Sequence, residues 1–208
     1  MYTPRAFAET DLAALDWLVT RDPFVTLVTG DAEGLPFATH LPVLYVREGE
    51  RVILEGHWAK PNPQARHDGR ALAIVHGPHA YVSPGWYADK EEAARVPTWN
   101  YAVAHLYGTL EPLHEEAALA GIVARLSQRH EDAAGGDWRY EHAREEQRIQ
   151  LRGIVGFRFV AERIELKFKL NQHHPAANVE GAAAGLRRQA DAQAHEVAAL
   201  MLDRLARR

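Results

Sequence analysis

Apolar residues recur at Leu12, Leu15, Leu18 and Val19, the spacing of one helical face, and predict a first helix. Thr10 is its expected N-cap, Asp11 suits the positive end of the helix dipole, and Asp22-Pro23 ends it. The period then shortens. Phe24 to Thr29 is β-branched and aromatic, and residues 30–34 (Gly-Asp-Ala-Glu-Gly) supply a turn. Leu35 to Val46 reads as a second strand, which Pro36 and Pro42 make irregular or edge-facing, and Arg51 to His57 as a third. Further strands are expected at Ala71–His76, Ala80–Ser83 and Trp99–Leu110. Residues 84–98 read as a long solvent-facing loop, bounded by Pro84, Gly85 and Pro97, and loops of that length are usually functional or mobile.

Helical periodicity returns with Leu119, Ile122, Val123 and Leu126, predicting a helix over about 115–130 that Gly135-Gly136 terminates. A polar segment to Ile149 carries a second short helix. Strands follow at Ile154–Val160 and Ile164–Leu170, and an Ala-rich helix at about 180–207 keeps Val197, Leu200, Met201 and Leu205 on one side. No repeat or linker interrupts the chain. Residues 1–208 are expected to form one α+β domain, mainly antiparallel β, with peripheral helices and a C-terminal helix.

Composition narrows the chemistry more than the fold. Hydrophobic residues at 47% and charged residues at 25% describe an ordinary globular chain, and no apolar run approaches a membrane span. The first residues lack a charged-then-apolar signal region, since Glu9, Asp11 and Asp16 arrive at once. Zero cysteines remove disulfides, thiolate catalysis, Fe–S clusters and Cys-based zinc sites, and fit the cytoplasmic location expected. With a formal net charge of −4 the chain is no general electrostatic trap for nucleic acid. The tail holds Arg187, Arg188, Arg204, Arg207 and Arg208 against Glu180, Asp191, Glu196 and Asp203, or 5 − 4 = +1. That is too weak for a DNA-reading helix, and no helix-turn-helix is recognisable. Of the twelve histidines, the pairs His76/His79 and His173/His174 could ligate a metal. No HExxH spacing supports this, and hydrogen-bonded or surface histidines are the expectation. Gly-x-Ser-x-Gly and GxGxxG are both absent.

Four stretches carry more polar and aromatic groups at strand ends than packing requires: residues 38–42, 57–63, 77–87 and 96–101. Aromatic walls, a few edge-fixing polar groups and a cation are what a flat ligand with a phosphate needs.

The ordered set LVTG, ATHLPV, GHWAKPNPQ, GPHAYVSPGWY, VPTWNYAVAHLYG, IVGFRFV and KFKLNQ is similar to PaiB proteins, the FMN-binding negative transcriptional regulators. The match runs from Met1 to about Arg187. This resemblance implies a split β-barrel related to pyridoxamine-phosphate oxidases, working as a homodimer with FMN at the subunit interface. Lys60 is then the first candidate for the phosphate, with His57 and Asn62 beside it. One lysine leaves much of a near-dianionic phosphate to Thr39, Asn62 and backbone amides. Thr39, His40 and Leu41 would lie along the ring, Ser83 and Trp86 over one face, and Thr98, Trp99 and Asn100 would come from the partner. Lys169 and Gln172 are candidates near the ring or interface, although Asn171 and His173-His174 depart from the family pattern there. The resemblance implies negative regulation of transcription, with DNA as a weakly supported direct partner. The rival functions are a flavin-dependent oxidoreductase, a haem-binding split barrel using His40, His57 or His105, and a flavin-storage protein.

Overall fold

The computed structural model describes residues 1–208. Strands β1 (Ala8–Glu9), β2 (Phe24–Gly30), β3 (Pro36–Pro42), β4 (Leu44–Glu48), β5 (Arg51–Ala59), β6 (Gly69–Val82), β7 (Thr98–Leu113) and β8 (Ile154–Lys169) alternate with helices α1 (Ala13–Arg21), α2 (Glu116–Ala134), α3 (Glu145–Arg148), α4 (Ala176–Arg187) and α5 (Ala192–Ala206). Hydrogen bonding orders the strands β3-β2-β6-β7-β8-β5-β4, with β1 added antiparallel to β8. The α+β, mainly antiparallel expectation is met.

Several boundaries differ from the sequence reading, each for a local reason. Asp11 rather than Thr10 starts α1, because its Oδ1 accepts from the Ala13 amide at 2.8 Å. The strand expected over 35–46 is two, β3 and β4, parted at the fully buried Val43. The two strands expected over 71–83 are one, because Gly77 and Pro78 are buried within β6 rather than turning it. Likewise β8 runs unbroken through the polar residues Glu162 and Arg163. The tail is two helices: after α4 the chain breaks, and Asp191 restarts α5 by accepting from the Gln193 amide at 3.0 Å.

The chain divides into two compact units. Residues 19–75 and 105–164 form one, and residues 1–18, 76–104 and 165–208 the other, so β6, β7 and β8 each contribute to both.

In the first unit, alternate side chains of β2 and β5 supply the core residues Val25, Leu27, Val52 and Leu54. Trp58 packs on Phe157 with ring centroids 4.7 Å apart. Helix α2 adds Ile122 and Leu126 against Leu44. Glu55 is almost fully buried, yet two guanidinium groups hold it, Arg125 at 2.7 Å and Arg158 at 2.8 Å. Burial alone would raise the Glu55 pKa; the hydrogen bonds and charges of both arginines outweigh it and keep the carboxylate ionised.

In the second unit the Ala-rich faces of α4 and α5 meet closely, with Ala182, Ala183, Leu186, Ala194, Val197, Ala198 and Met201 all buried. Small side chains let the Trp86 ring lie directly on α4, where a Cβ at Gly185 would overlap it. Gly185→Ala is therefore expected to dislodge Trp86 and destabilise the protein by about 1–3 kcal/mol, the range for overpacking. Thermal unfolding followed by tryptophan fluorescence checks this, with a blunted Trp86 contribution as the accompanying sign.

Candidate functional site

The first unit gathers its polar site candidates around the chain that leaves β5. Asn62 caps a short 3-10 turn (Pro63–Arg66) by accepting from the Gln64 amide at 3.0 Å. Its other side-chain end donates to Thr39 Oγ1 on β3 at 3.1 Å. The Lys60 amide donates to the Gly153 carbonyl at 2.8 Å, fixing where the lysine leaves the backbone. Beneath them Gln64 is wholly buried: its Nε2 faces Leu27 O, Thr29 Oγ1 and Phe37 O at 3.0–3.1 Å, and its Oε1 accepts from Trp58 Nε1 at 3.0 Å. The loop is thus anchored rather than loose.

Lys60 and Arg152 line one cavity of about 340 Å³, together with His114, Glu116 and an apolar wall of Leu119, Leu151, Ile154 and Val155. Lys60 was singled out in the sequence. Arg152 was not, since a lone arginine before the IVGF strand carries no signal until the fold sets it beside Lys60. His57, half-buried on β5, keeps Nδ1 enclosed without a partner, and burial pushes its pKa down. It is a neutral group with one ring nitrogen uncommitted. His40 is exposed and bonds Thr26 Oγ1 at 2.9 Å, whereas the Leu41 side chain is in the core. Because β3 ends the strand order, its outer backbone groups are not taken up by another strand, and these are what Thr39, His40 and Leu41 offer a ligand.

The second unit holds the remaining candidates. The Lys169 ammonium binds Thr98 Oγ1 and, at 2.8 Å, the Trp99 carbonyl. Burial, with Lys167 nearby, pushes the Lys169 pKa down. Trp99 is 53% exposed and contacts the rings of His79 and Tyr81. Gln172 folds back on its own strand, accepting from the Leu170 amide at 2.7 Å and donating to the Phe168 carbonyl at 2.5 Å. Ser83 Oγ accepts from the Gly85 amide at 3.2 Å, and Trp86 lies on α4. Asn100 is enclosed, donating to Met201 Sδ at 3.2 Å, so its amide has no surface to present. The structure therefore brings Thr98, Trp99 and Lys169 together, and sets Ser83 and Trp86, Asn100, and Gln172 in separate local arrangements.

A second cavity of about 370 Å³ belongs to this unit and includes Thr98, Lys169, Tyr87, Arg95, Asn171, His173 and His174. Burial and nearby cationic groups push the His174 pKa down from 6.5 to about 4. The unfolded chain takes a proton near pH 6.5 and the folded one only near pH 4, so this histidine removes stability as pH falls between those values. His174→Gln is expected to flatten the fall of melting temperature between pH 6.5 and 4, as followed by circular dichroism. No three His, Asp or Glu side chains converge to hold a metal ion.

The family model described as "Putative FMN-binding domain" matches residues 1–163. The chain is also 31% identical to the Bacillus subtilis "Protease synthase and sporulation protein PAI 2", over 99% of this chain and 98% of that one. The chain belongs to the PaiB family of FMN-binding proteins. An uncharacterised Aspergillus fumigatus protein is 28% identical over 89% of this PaiB-family chain and 90% of its own. Among solved structures, the Azotobacter vinelandii flavocytochrome Anf3 superposes with TM-score 0.53 at 18% identity, covering 80% of this chain and 72% of that one. The FAD and heme binding protein of Mycobacterium smegmatis gives 0.52 at 18% identity, covering 78% and 73%. The expected fold, a split β-barrel with peripheral helices, is met.

The residues fit FMN. A phosphate needs more than one cation and several donors; Lys60 and Arg152 line one cavity, and the chain that follows Lys60 carries Asn62, bonded to Thr39. The outer backbone edge of β3, left open by the strand order, offers further polar groups.

Proposed function

We propose that this PaiB-family protein works as a homodimer in which FMN is held by one unit from each copy. From one copy, Lys60 and Arg152 neutralise the phosphate. Asn62 and Thr39 position it, while His57 and the β3 backbone at Thr39, His40 and Leu41 meet the ring edge. From the second copy, Trp99 covers a ring face, and Thr98 and Lys169 fix the strand end that carries Trp99. The flavin supplies redox chemistry when bound; the protein orients it and shields it from water. The observation that carries the reading is the pairing of Lys60 with Arg152 in one cavity, on the chain that runs on to the Asn62–Thr39 bond.

The outward side of β7 supports self-association. It presents Trp99, Tyr101, Val103, His105 and Tyr107 at least partly exposed, while the alternate residues from Asn100 to Leu110 are buried. An apolar, aromatic strand face of this kind suits an interface.

For the regulatory role, we favour an effect on transcription without direct DNA contact. Three of the five tail arginines are engaged: Arg204 with Glu9 at 2.7 Å, Arg207 with Asp203, and Arg208 with the carbonyls of Gln172 and His174. A stripe spent on such bonds offers little to phosphates. A gel shift at low salt against random and upstream DNA is expected to show no retention, and salt-sensitive retention would contradict this. No helix is long and apolar enough to cross a membrane.

A further inference from the structure

The second cavity, between the loop after β6 and the turn after β8, is not explained by FMN. Its polar groups converge. Lys169 has three N–H donors and uses two, on Thr98 and Trp99. Arg95 binds Asp89 through Nε at 2.9 Å and Nη2 at 2.5 Å, which leaves Nη1 uncommitted. Asn171 is 0% exposed and donates to Tyr87 Oη at 2.8 Å, yet its Oδ1 has no partner. His174 Nδ1 is likewise enclosed and unpartnered. Two of the four buried orphan polar atoms of the chain therefore belong to residues lining this one cavity. Such atoms cost free energy, so the wall of this cavity is held in place at a cost.

The backbone points to the same place. Ala94, at φ 45°, and Asn171, at φ 59°, are the only non-glycine residues with positive φ, and both line the cavity. A left-handed alanine in particular persists only where its surroundings impose it. The loop is imposed upon: Asp89 binds Arg95 and accepts from Asn178 Nδ2 of α4 at 2.6 Å.

We propose that this cavity binds a small organic carboxylate that also carries a hydrogen-bond donor, with Lys169 and Arg95 on the carboxylate and the rings of His173 and His174 in the wall to meet the donor. The charge balance selects the class. Asp89 offsets one of the two cations, leaving one net positive charge, which suits a monoanion better than a phosphate dianion. Both histidines have depressed pKa values, so at neutral pH they act as hydrogen-bonding groups and not as further charge. The apolar part of the wall, Phe7, Val96 and Pro97, suits an organic skeleton rather than an inorganic ion. Such an acid would be an effector for a regulator or a substrate for a redox enzyme. The proposal extends the FMN reading without resting on it.

The test is isothermal titration calorimetry with 4-hydroxybenzoate and lactate, alongside histidine-ring ¹⁵N spectra, on both FMN-free and FMN-loaded protein. At least one of the two acids is expected to bind once per chain in both forms and to shift the His173 and His174 signals. The neutral amide of that acid should bind about tenfold or more weakly, as should the acid to Lys169→Met. Because Lys169 also ties β7, Arg95→Gln serves as the second variant, with the same weakening expected in protein whose melting temperature shows it folded. Absence of binding by both acids overturns the proposal, as does equal affinity for the amide, tighter binding of inorganic phosphate, or competition between the acid and FMN. A protein that fails to bind FMN but binds the acid refutes the flavin assignment alone.

Discussion

Changing Lys60 and Arg152 together to alanine is expected to weaken FMN binding by roughly 3–6 kcal/mol, about 150-fold to 25,000-fold. Each side chain contributes a charge-assisted contact to the phosphate, and such contacts are worth about 1.5–3 kcal/mol apiece. Either single variant is expected to fall within that single-contact range. Both residues lie on the cavity rim at the surface, since Lys60 and Arg152 are exposed, so their loss leaves the core intact. Quenching of FMN fluorescence on titration with protein measures the constants. Unchanged affinity in the double variant would remove this cavity from the flavin site.

The second large effect is on stability. Gln64→Leu is expected to cost roughly 3–5 kcal/mol, because it strands several buried polar groups at once, each worth about 1–3 kcal/mol when left unpaired. The two N–H groups of Gln64 serve three acceptors, so one bond is shared; all three acceptors lose that donor, and Trp58 Nε1 loses its acceptor. A leucine of similar volume fills the space and repairs none of this. Urea unfolding, read as the shift of midpoint at constant slope, gives the value. Because Gln64 underlies the turn that follows Lys60, FMN affinity should fall as well, by less than in the Lys60 and Arg152 variants.

Much of the fold was legible because its cues are local. The turn at residues 30–34 was readable from Asp31 and Gly34, and Asp31 Oδ1 does accept from the Glu33 and Leu35 amides at 3.0 and 2.7 Å. The helix ending at Gly135-Gly136 was readable too, and Gly135 adopts the left-handed cap. Strand continuity was harder to read. Gly77-Pro78 is a breaker by composition, yet Gly77 is required inside β6 because a Cβ there would collide with Ala102 and Leu18. Nothing local to residues 76–79 reports that approach. The same applies to the C-terminal helices, where alanine at nearly every position conceals the restart at Asp191.

The candidate site was legible by segment and less so by side chain. Lys60, Asn62 and Thr39 were named from sequence; Asn62 bonds Thr39, while Lys60 lines a cavity with Arg152. Asn100 looked equally polar but points inward, because strict alternation along β7 sends it to the core with Ala102 and Ala104. Arg152, Arg95 and Asn171 needed the fold, since each acts with residues distant in the chain. The loop over 84–98 drew attention by its length alone, and it proves to carry Arg95 and the left-handed Ala94.

A flavin held by two copies of the chain is tested directly by mixing two disabled variants. Lys60→Ala/Arg152→Ala and Thr98→Ala/Trp99→Ala are each expected to bind FMN poorly as pure proteins. Unfolded, mixed equally and refolded, they form hybrid dimers in which one of the two sites is intact, so about a quarter of all sites should recover tight binding. A mixture that binds no better than its components, while running at the mass of a dimer, would contradict the shared site.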